Sequence, residues 1–307
     1  MFGLLKNHDF LKKQEHLYIS NSSFLSDSCI KWNFQRIKSF KLPFYFYKCE
    51  MSGWENHANG FGYDRNELLA IVKSFNEAWE RICLQSVVRS PDFGKQIVDS
   101  SNGFAAGSTN QMAIENSLQE LIERAAVVLS WQEMKSWEKT KCIASFYRLS
   151  SFCMYLLGWR LHLFDISTNL GLVKAILGIH NEFGAVFDSS FADKAKAVED
   201  NLIMSICRQI DSRKKSLRHE FPFFGIPSDH SFFYSNPNNL TAFDHLLHPK
   251  ENPQSFFLEH ENSIQTQLLV PVSDFPAVAM SFNEKWPRLK WGMQSIKGIN
   301  PWPHPIA

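Results

Sequence analysis

The sequence has almost no net charge and no long apolar run, and each absence argues against a class of protein. Across 307 residues, 32 Lys and Arg balance 31 Asp and Glu, whereas a dedicated nucleic-acid binder needs clustered basic residues to contact phosphates. The most apolar stretch, residues 151–164, is too short for a membrane span and is interrupted by Arg160 and His162. We therefore expect no nucleic-acid partner and no membrane partner.

Paired cysteines and a targeting signal are also missing. The six cysteines include no C-x-x-C pair, so the sequence predicts neither a zinc site nor a redox motif. The first apolar run stops at Lys6, which is too early for a signal peptide. Hydrophobic residues make up 44% of the chain, which supplies a core and excludes global disorder. A soluble, cytoplasmic protein is expected.

Hydrophobic spacing predicts two strong helices. The first is expected to begin at Asp64, with Glu67 completing a capping box, and the second at Ser108, with Gln111 in the matching position. Residues 99–108 are interpreted as a glycine-bearing loop before the second helix. Each helix carries one apolar stripe: Leu68, Val72, Phe75, Trp79 and Ile82 in the first, and Ile114, Leu118, Leu121, Ala125 and Val128 in the second.

The rest of the chain is predicted to form strands, loops and one weaker helix. Residues 42–48, 184–189 and 266–272 have the composition of strands. A third helix is predicted over roughly residues 191–210. The predicted fold class is therefore α+β, a mixed architecture in which loop–helix units pack on sheets.

The two predicted helices share a charged pentad, E-x-x-E-R. Its members are Glu77, Glu80 and Arg81 in the first helix, and Glu120, Glu123 and Arg124 in the second. Residues three apart on a helix project side by side, so each helix presents two carboxylates and a guanidinium on the flank opposite its apolar stripe. One such pentad is typical of a solvated charged face, but two copies, each after a glycine-bearing segment, favour a shared function.

Four converging carboxylates would repel one another and so require a cation. Oxygen ligands without nearby His or Cys favour Mg²⁺ over Zn²⁺, and protein-bound Mg²⁺ commonly shares its ligands with phosphates. Arg81 and Arg124 are suited to phosphate oxygens, and residues 103–108 end at a helix N-terminus, which favours an anion. The pattern predicts a nucleoside triphosphate site without a Walker motif.

The segment Ser101-Asn-Gly-Phe-Ala-Ala-Gly-Ser-Thr109, followed by the second pentad, resembles the signature of the YcaO family. That family usually has S-N-G-x-A-x-G-N-T and then an E-x-x-E-R helix. Residues 60–62, Gly-Phe-Gly, and the first pentad are similar to the family's first glycine turn and acidic helix, and residues 184–208 more weakly to its third loop–helix unit. The resemblance implies a YcaO-like fold and a reaction in which ATP activates a peptide-backbone amide for attack by a nucleophile.

The resemblance also implies roles for individual residues. The implied Mg²⁺ ligands are Glu77, Glu80, Glu120 and Glu123, and the implied nucleotide contacts are Asn102, Ser108 and Arg124, joined by Arg81. The sequence departs from the family pattern at Phe61, where Lys is frequent, at Ser108, where Asn is usual, and at Met112, where an acidic residue is common. The third helix places Met204 or Ser205 where the family usually has Glu. These departures motivate an alternative, a non-catalytic scaffold subunit.

The C-terminus carries a P-x-P-x-P segment formed by Pro301, Pro303 and Pro305, and it ends at Ala307. Such a segment is a stiff polyproline II helix, which in itself is typical of a frayed terminus or of a ligand for a proline-binding module. Azoline-forming YcaO proteins resemble this chain in having such a tail, which reaches the active site, so these four residues are predicted to act there. The scattered histidines, including His230, are expected to have core or surface roles.

The resemblance as a whole predicts an ATP- and Mg²⁺-dependent cyclodehydratase that forms thiazoline or oxazoline rings on a ribosomal precursor peptide. Thioamide or amidine formation is the alternative within the family. Residues 1–56, interpreted as an N-terminal strand and loop region, are too few for a leader-binding domain, and residues 57–307 form the predicted catalytic domain. A separate ThiF-like partner that binds the leader peptide is therefore expected. A flavin-dependent dehydrogenase that oxidises azolines to azoles is a further possible partner, and the chain itself could form a homodimer.

Overall fold

The structure of the chain is a computed structural model. It describes residues 16–18, 29–37, 45–89, 102–140, 154–191, 202, 205–206, 230, 233–249, 252–253, 255–272, 275–286, 302 and 305–306.

Helices and strands are mixed along the chain, as the sequence predicts. The helices are α1 (Glu67–Arg89), α2 (Asn110–Gln132) and α3 (Asp244–Leu247), with 3-10 helices at Pro237–Phe243 and Glu261–Ser263. The strands are β1 (His16–Tyr18), β2 (Cys29–Arg36), β3 (Tyr45–Gly53), β4 (Asn56–Asp64), β5 (Phe104–Gly107), β6 (Glu138–Lys139), β7 (Arg160–Thr168), β8 (Gly171–His180), β9 (Gly184–Phe191), β10 (Gln265–Val270) and β11 (Ala277–Phe282). The predicted α+β class is confirmed.

The chain forms two compact units, and the boundary between them lies within α2. Unit one comprises residues 1–121 and 262–284, and unit two comprises residues 122–261 and 285–307. β3 and β4 form an antiparallel hairpin with Gly53 opposite Asn56, so the sheet continues through the predicted boundary after residue 56. That division of the chain stays a prediction.

Unit one contains two antiparallel sheets that share a core with α1. The sheet orders are β1–β2–β3–β4 and β10–β11–β5. Phe75, Trp79 and Ile82 of the predicted α1 stripe are buried in one cluster with residues of both sheets. The Trp79 ring lies 4.6 Å from the Phe275 ring, and such aromatic pairs add to the stability that their burial provides.

Two glycines allow α1 to lie directly against β4. A Cβ on Gly60 would lie 2.0 Å from Ser74 O, and one on Gly62 would lie 2.0 Å from Ala70 O. No side chain fits in that space, so glycine is required at both positions for the strand and the helix to touch. The expectation of a glycine turn at residues 60–62 is therefore wrong, because these residues lie inside β4.

Both long helices begin slightly later than predicted. Asn66 caps α1, because its Oδ1 accepts from Leu68 N at 2.9 Å, while Asp64 ends β4. Thr109 caps α2, because its Oγ1 accepts from Met112 N at 3.1 Å. In both places several neighbouring residues could cap a helix. The residue that acts as the cap depends on where the preceding strand ends.

Unit two contains the antiparallel sheet β6–β7–β8–β9 and the second half of α2. The strand predicted at residues 184–189 is confirmed as β9, and in unit one the strand predicted at 266–272 is confirmed as β10. Trp131 of α2 is fully buried and lies among the rings of Tyr234, Phe243 and His245. Most of the predicted third helix lies outside the described residues.

Candidate functional site

The first pentad belongs to a row of α1 side chains that covers the outer edge of β4. The row consists of Lys73, Glu77, Arg81 and Gln85, which we call the edge ladder. Lys73 Nζ donates to Tyr63 O at 3.3 Å, Phe61 N donates to Glu77 Oε2 at 2.5 Å, Arg81 Nη1 donates to Asn59 O, and Gln85 Nε2 donates to His57 O at 3.2 Å.

The edge ladder forms because helix and strand have matching repeats. Four helical residues rise about 6 Å, and two strand residues span about 6.6 Å, so successive turns of α1 meet successive outward-facing peptide groups of β4. An edge strand otherwise leaves these groups without partners. The edge ladder therefore supplies β4 with the hydrogen bonds that another strand would have provided.

Two predicted site residues are engaged in this ladder. Glu77 uses both carboxylate oxygens, since Oε1 also accepts from Arg81 Nη2 at 2.6 Å. Arg81 is engaged by Glu77 and by Asn59 O. The roles predicted for them, Mg²⁺ ligand for Glu77 and phosphate contact for Arg81, stay predictions. In the structure both residues bind the backbone of β4, a role that the sequence pattern does not indicate.

Glu80 differs from Glu77 in its surroundings. Its Oε1 accepts a 2.6 Å hydrogen bond from Ala106 N of β5. Burial raises the pKa of Glu80 to about 8, and the Glu120 carboxylate reinforces this rise more than Glu77 does. At neutral pH the Glu80 carboxyl is therefore mostly protonated unless a cation takes the place of the proton.

The chemistry of Glu80 and Glu120 fits Mg²⁺. Mg²⁺ often takes only one or two carboxylates from a protein and completes its coordination with water and substrate phosphates. In the part of the chain that the structure describes, no three His, Cys, Asp or Glu side chains are gathered so as to hold a metal ion. A Mg²⁺ ion that is bound to a triphosphate brings such further ligands with it.

The segment that carries the family signature forms a strand at its centre. Residues 104–107 form β5 and pair with β11, so the prediction of a loop across residues 99–108 is wrong here. Gly103, which follows the predicted nucleotide contact Asn102, has φ +71°, and a Cβ there would lie 2.2 Å from Ser281 O. Only glycine fits this left-handed, tightly enclosed position.

Two of the departures from the family pattern contact each other. Ser108 Oγ donates to Met112 Sδ at 3.1 Å, one turn along α2. Ser108 is a predicted nucleotide contact, and its hydroxyl donates here to a thioether, which is a weak acceptor. The thioether belongs to Met112, at the position where the family commonly has an acidic residue. Phe61, the third departure, contributes its backbone N–H to the edge ladder.

The second half of the second pentad lies in unit two. Ser189 Oγ of β9 donates to Glu123 Oε1 at 2.7 Å, which holds that carboxylate in place. Arg124 Nε is buried and has no hydrogen-bond partner among the described residues. A buried donor without a partner is costly, so this guanidinium is suited to an anion that binds from solution.

Of the predicted tail residues, Pro305 is described and buried, whereas Pro301, Pro303 and Ala307 lie outside the described residues. Trp131 Nε1 donates to Trp302 O, and the ring of His230 lies within hydrogen-bond distance of Ile306 O, both in unit two. Sequence reasoning missed Ser189 and His230, since nothing in their local sequence indicates that they meet residues far along the chain.

The sequence matches one family model, described as the YcaO cyclodehydratase, ATP- and Mg²⁺-binding, over residues 85–192. That range contains the signature segment and the second pentad. The predicted cofactors, ATP and Mg²⁺, are those in the family's description. No curated protein matches the sequence. No helix in the described ranges is both long and apolar enough to cross a membrane.

Solved structures of low sequence identity share the fold. YcaO from Methanopyrus kandleri, bound with AMPPCP and Mg²⁺, is 10% identical, with a TM-score of 0.52 over 81% of this chain and 84% of that one. A chain of the E. coli microcin synthetase McbBCD complex with pro-MccB17 bound is 12% identical, with a TM-score of 0.57 over 96% and 100%. A heterocyclase in complex with substrate and cofactor is 11% identical, with a TM-score of 0.60 over 84% of this chain and 50% of that one. The predicted YcaO-like fold is confirmed.

Proposed function

We propose that the chain is an ATP- and Mg²⁺-dependent cyclodehydratase of a ribosomal precursor peptide, which is supported by the YcaO family model that matches residues 85–192 and by the fold that the chain shares with YcaO from Methanopyrus kandleri. The side chain of a Cys, Ser or Thr adds to the carbonyl carbon of the preceding amide and closes a thiazoline or oxazoline ring. The amide oxygen leaves as phosphate while ATP becomes ADP, so the peptide loses one water for each ring.

The observation that carries the proposal is the interaction of the buried Glu80 carboxyl, which binds Ala106 N of β5, with the Glu120 carboxylate. The pKa of Glu80 is raised by its burial and by Glu120, a combination that a bound cation would relieve. Mg²⁺ there would neutralise charge on the phosphates as the terminal phosphoryl group is transferred. Glu80 and Glu120 are the proposed ligands, supplemented by Glu123, which Ser189 holds in place.

Phosphate binding is assigned first to Arg124. Its Nε is buried with no hydrogen-bond partner among the described residues, and a guanidinium provides planar, permanently charged donors. Asn102 and Ser108 are proposed to contact the nucleotide, and Arg81 to do so only secondarily, because the edge ladder already engages it. Pro301, Pro303, Pro305 and Ala307 are proposed to reach the substrate amide.

The partners follow from the same resemblance. The chain resembles one chain of the E. coli microcin synthetase McbBCD complex with pro-MccB17 bound, which supports a precursor peptide as substrate and partner proteins for this chain. We assign leader recognition to a ThiF-like partner and later oxidation of the rings to a flavin-dependent dehydrogenase.

Calorimetric titration of MgATP into the purified chain tests the site. We expect Mg²⁺-dependent binding that is lost in Glu120→Gln and retained in Glu115→Gln, an exposed carboxylate on the same helix that pairs with Gln111. Mass spectrometry of the precursor, with the partner added, then tests the reaction. Loss of one water for each modified residue supports ring formation, whereas exchange of oxygen for sulfur would indicate a thioamide.

A scaffold subunit is the second candidate, and the contact between Ser108 and Met112 favours it. A thioether replaces an acidic side chain there, so one charge that the family uses near the nucleotide is missing. The scaffold predicts that peptide processing by the complex is unchanged in Glu120→Gln. Loss of processing in a folded Glu120→Gln variant would eliminate it.

A further inference from the structure

The C-terminal segment is held in unit two by side chains that bind its backbone. Trp131 Nε1 donates to Trp302 O at 3.2 Å, and His230 Nδ1 lies 3.2 Å from Ile306 O. A carbonyl oxygen only accepts hydrogen bonds, so Nδ1 of His230 is the donor and carries a proton. Both donor residues are 0% exposed.

Apolar contacts reinforce these two hydrogen bonds. Ile306 is 3% exposed, Pro305 is buried, and the Trp302 ring lies 5.7 Å from the Phe233 ring. A chain terminus ordinarily frays, and a buried carbonyl requires a partner. The position of Ile306 therefore depends on the donor that His230 supplies.

We propose that His230 is a positioning residue that fixes the C-terminal segment by binding its main chain at Ile306. The contact is to a backbone oxygen, so docking depends on the path of the chain more than on the side chain at that position. Trp131 makes the second such contact four residues earlier. The consequence for catalysis rests on the proposed function, in which this terminus reaches the substrate amide and a fixed terminus lowers the cost of orienting it.

Two variants of His230 and one control separate docking from folding. His230→Phe removes the donor and keeps an aromatic ring of similar size, whereas His230→Gln keeps a donor. His248→Phe, at an exposed histidine of the same unit, is the matched control. Thermal unfolding and circular dichroism establish that each variant is folded.

The first readout is the rate at which carboxypeptidase releases the last residues, followed by mass spectrometry, and it needs no enzymatic activity. We expect release about ten-fold faster in His230→Phe, since a buried carbonyl loses its partner, and a rate near that of the parent in His230→Gln and His248→Phe. Equal release from folded His230→Phe and the parent chain would overturn the proposal.

The second readout is the kinetics of peptide modification by the complex. We expect kcat to fall about ten-fold in His230→Phe with KM for ATP unchanged, and His230→Gln to recover most of the loss. An unchanged kcat despite faster release would show that the docked terminus does not serve the reaction. If the parent chain modifies no peptide, the proposed function fails, while the carboxypeptidase result still decides whether His230 holds the terminus.

Discussion

In α1, Glu77 and Arg81 of the E-x-x-E-R pentad bind the edge of β4 and each other. Glu80 of the same pentad instead accepts a hydrogen bond from Ala106 N of β5. In α2, the contact to a strand backbone precedes the pentad, since Asn116 Nδ2 donates to Ala106 O of β5 at 2.9 Å. Glu120 raises the pKa of Glu80, Glu123 accepts from Ser189, and Arg124 carries a buried donor without a partner among the described residues.

The difference between the pentads shows that one charge pattern can serve two purposes. In α1 it mainly compensates the open edge of a strand, because the spacing of Glu77 and Arg81 matches the repeat of β4. In α2 it includes Arg124, whose buried Nε has no hydrogen-bond partner among the described residues and is suited to a ligand. The second pentad is therefore expected to carry the larger share of nucleotide and metal binding, and variants that exchange matched positions test this.

The largest difference between the two pentads is expected at their arginines. Arg124→Ala should weaken MgATP binding by about 10- to 100-fold, because hydrogen bonds to a charged group are worth about 1.5 to 3 kcal/mol. Arg81→Ala should change the affinity less than about three-fold and instead lower the unfolding temperature, since it frees Asn59 O and Glu77. Calorimetry and thermal unfolding on both variants measure this, and equal losses of affinity would show that the pentads act alike.

The next effect is the pH dependence of stability that Glu80 imposes. Its pKa is raised from 4.5 to about 8 in the folded chain, so the folded state holds a proton that the unfolded state releases. The stability that this proton provides is fully present below pH 4.5 and is lost as the pH rises through about 8. Glu80→Gln keeps an acceptor for Ala106 N and has no carboxyl to ionise.

Glu80→Gln should therefore be more stable than the parent chain at pH 8.5 by on the order of 4 kcal/mol, and similar to it at pH 4.5. Urea unfolding across this range, without Mg²⁺, gives the comparison. With MgATP, the parent should gain more stability than Glu80→Gln. A parent and variant that respond alike to pH would show that Glu80 is not the group whose pKa is raised.

Sequence reasoning predicted the features that depend on local spacing. The apolar stripes of α1 and α2 and the strands β9 and β10 follow from the identity of near neighbours, and the structure has them. The helix starts were wrong by two residues at Asp64 and by one at Ser108, because Asn66 and Thr109 are also good caps. The sequence predicts a loop at β5, because three of its four residues, Ala105, Ala106 and Gly107, have little strand propensity.

Contacts between distant residues could not be predicted from one sequence. The edge ladder depends on β4 lying beside α1. Gly60 and Gly62 permit this close approach, but their presence in the sequence does not predict it. Ser189 meets Glu123 across 66 residues, and His230 meets Ile306 across 76. A hydroxyl and an imidazole are common in cores, so only the fold reveals what they hold.

A smaller effect is expected where Ser189 supports the second pentad. Ser189→Ala should weaken the Mg²⁺ dependence of ATP binding about ten-fold, as loss of a residue that orients a metal ligand usually does. Ser190→Ala is the matched control, since Ser190 is the next residue of β9 and is also buried. Titration of Mg²⁺ at fixed ATP measures both. Equal behaviour of the two variants would remove Glu123 from the proposed ligand set.

The smallest effect is expected at Gln85, the last member of the edge ladder. Gln85→Ala should lower the free energy of unfolding by about 0.5 kcal/mol, because His57 O loses a 3.2 Å hydrogen bond but can be reached by water. Affinity for MgATP should not change, since Gln85 lies one turn beyond the pentad. Gln111→Ala, which removes a side-chain pair with Glu115 on α2, provides the comparison on the other helix. A loss of MgATP affinity in Gln85→Ala alone would mean that contacts at the edge of β4 affect the nucleotide site. The proposal that the first pentad mainly stabilises β4 while the second binds the nucleotide would then be wrong.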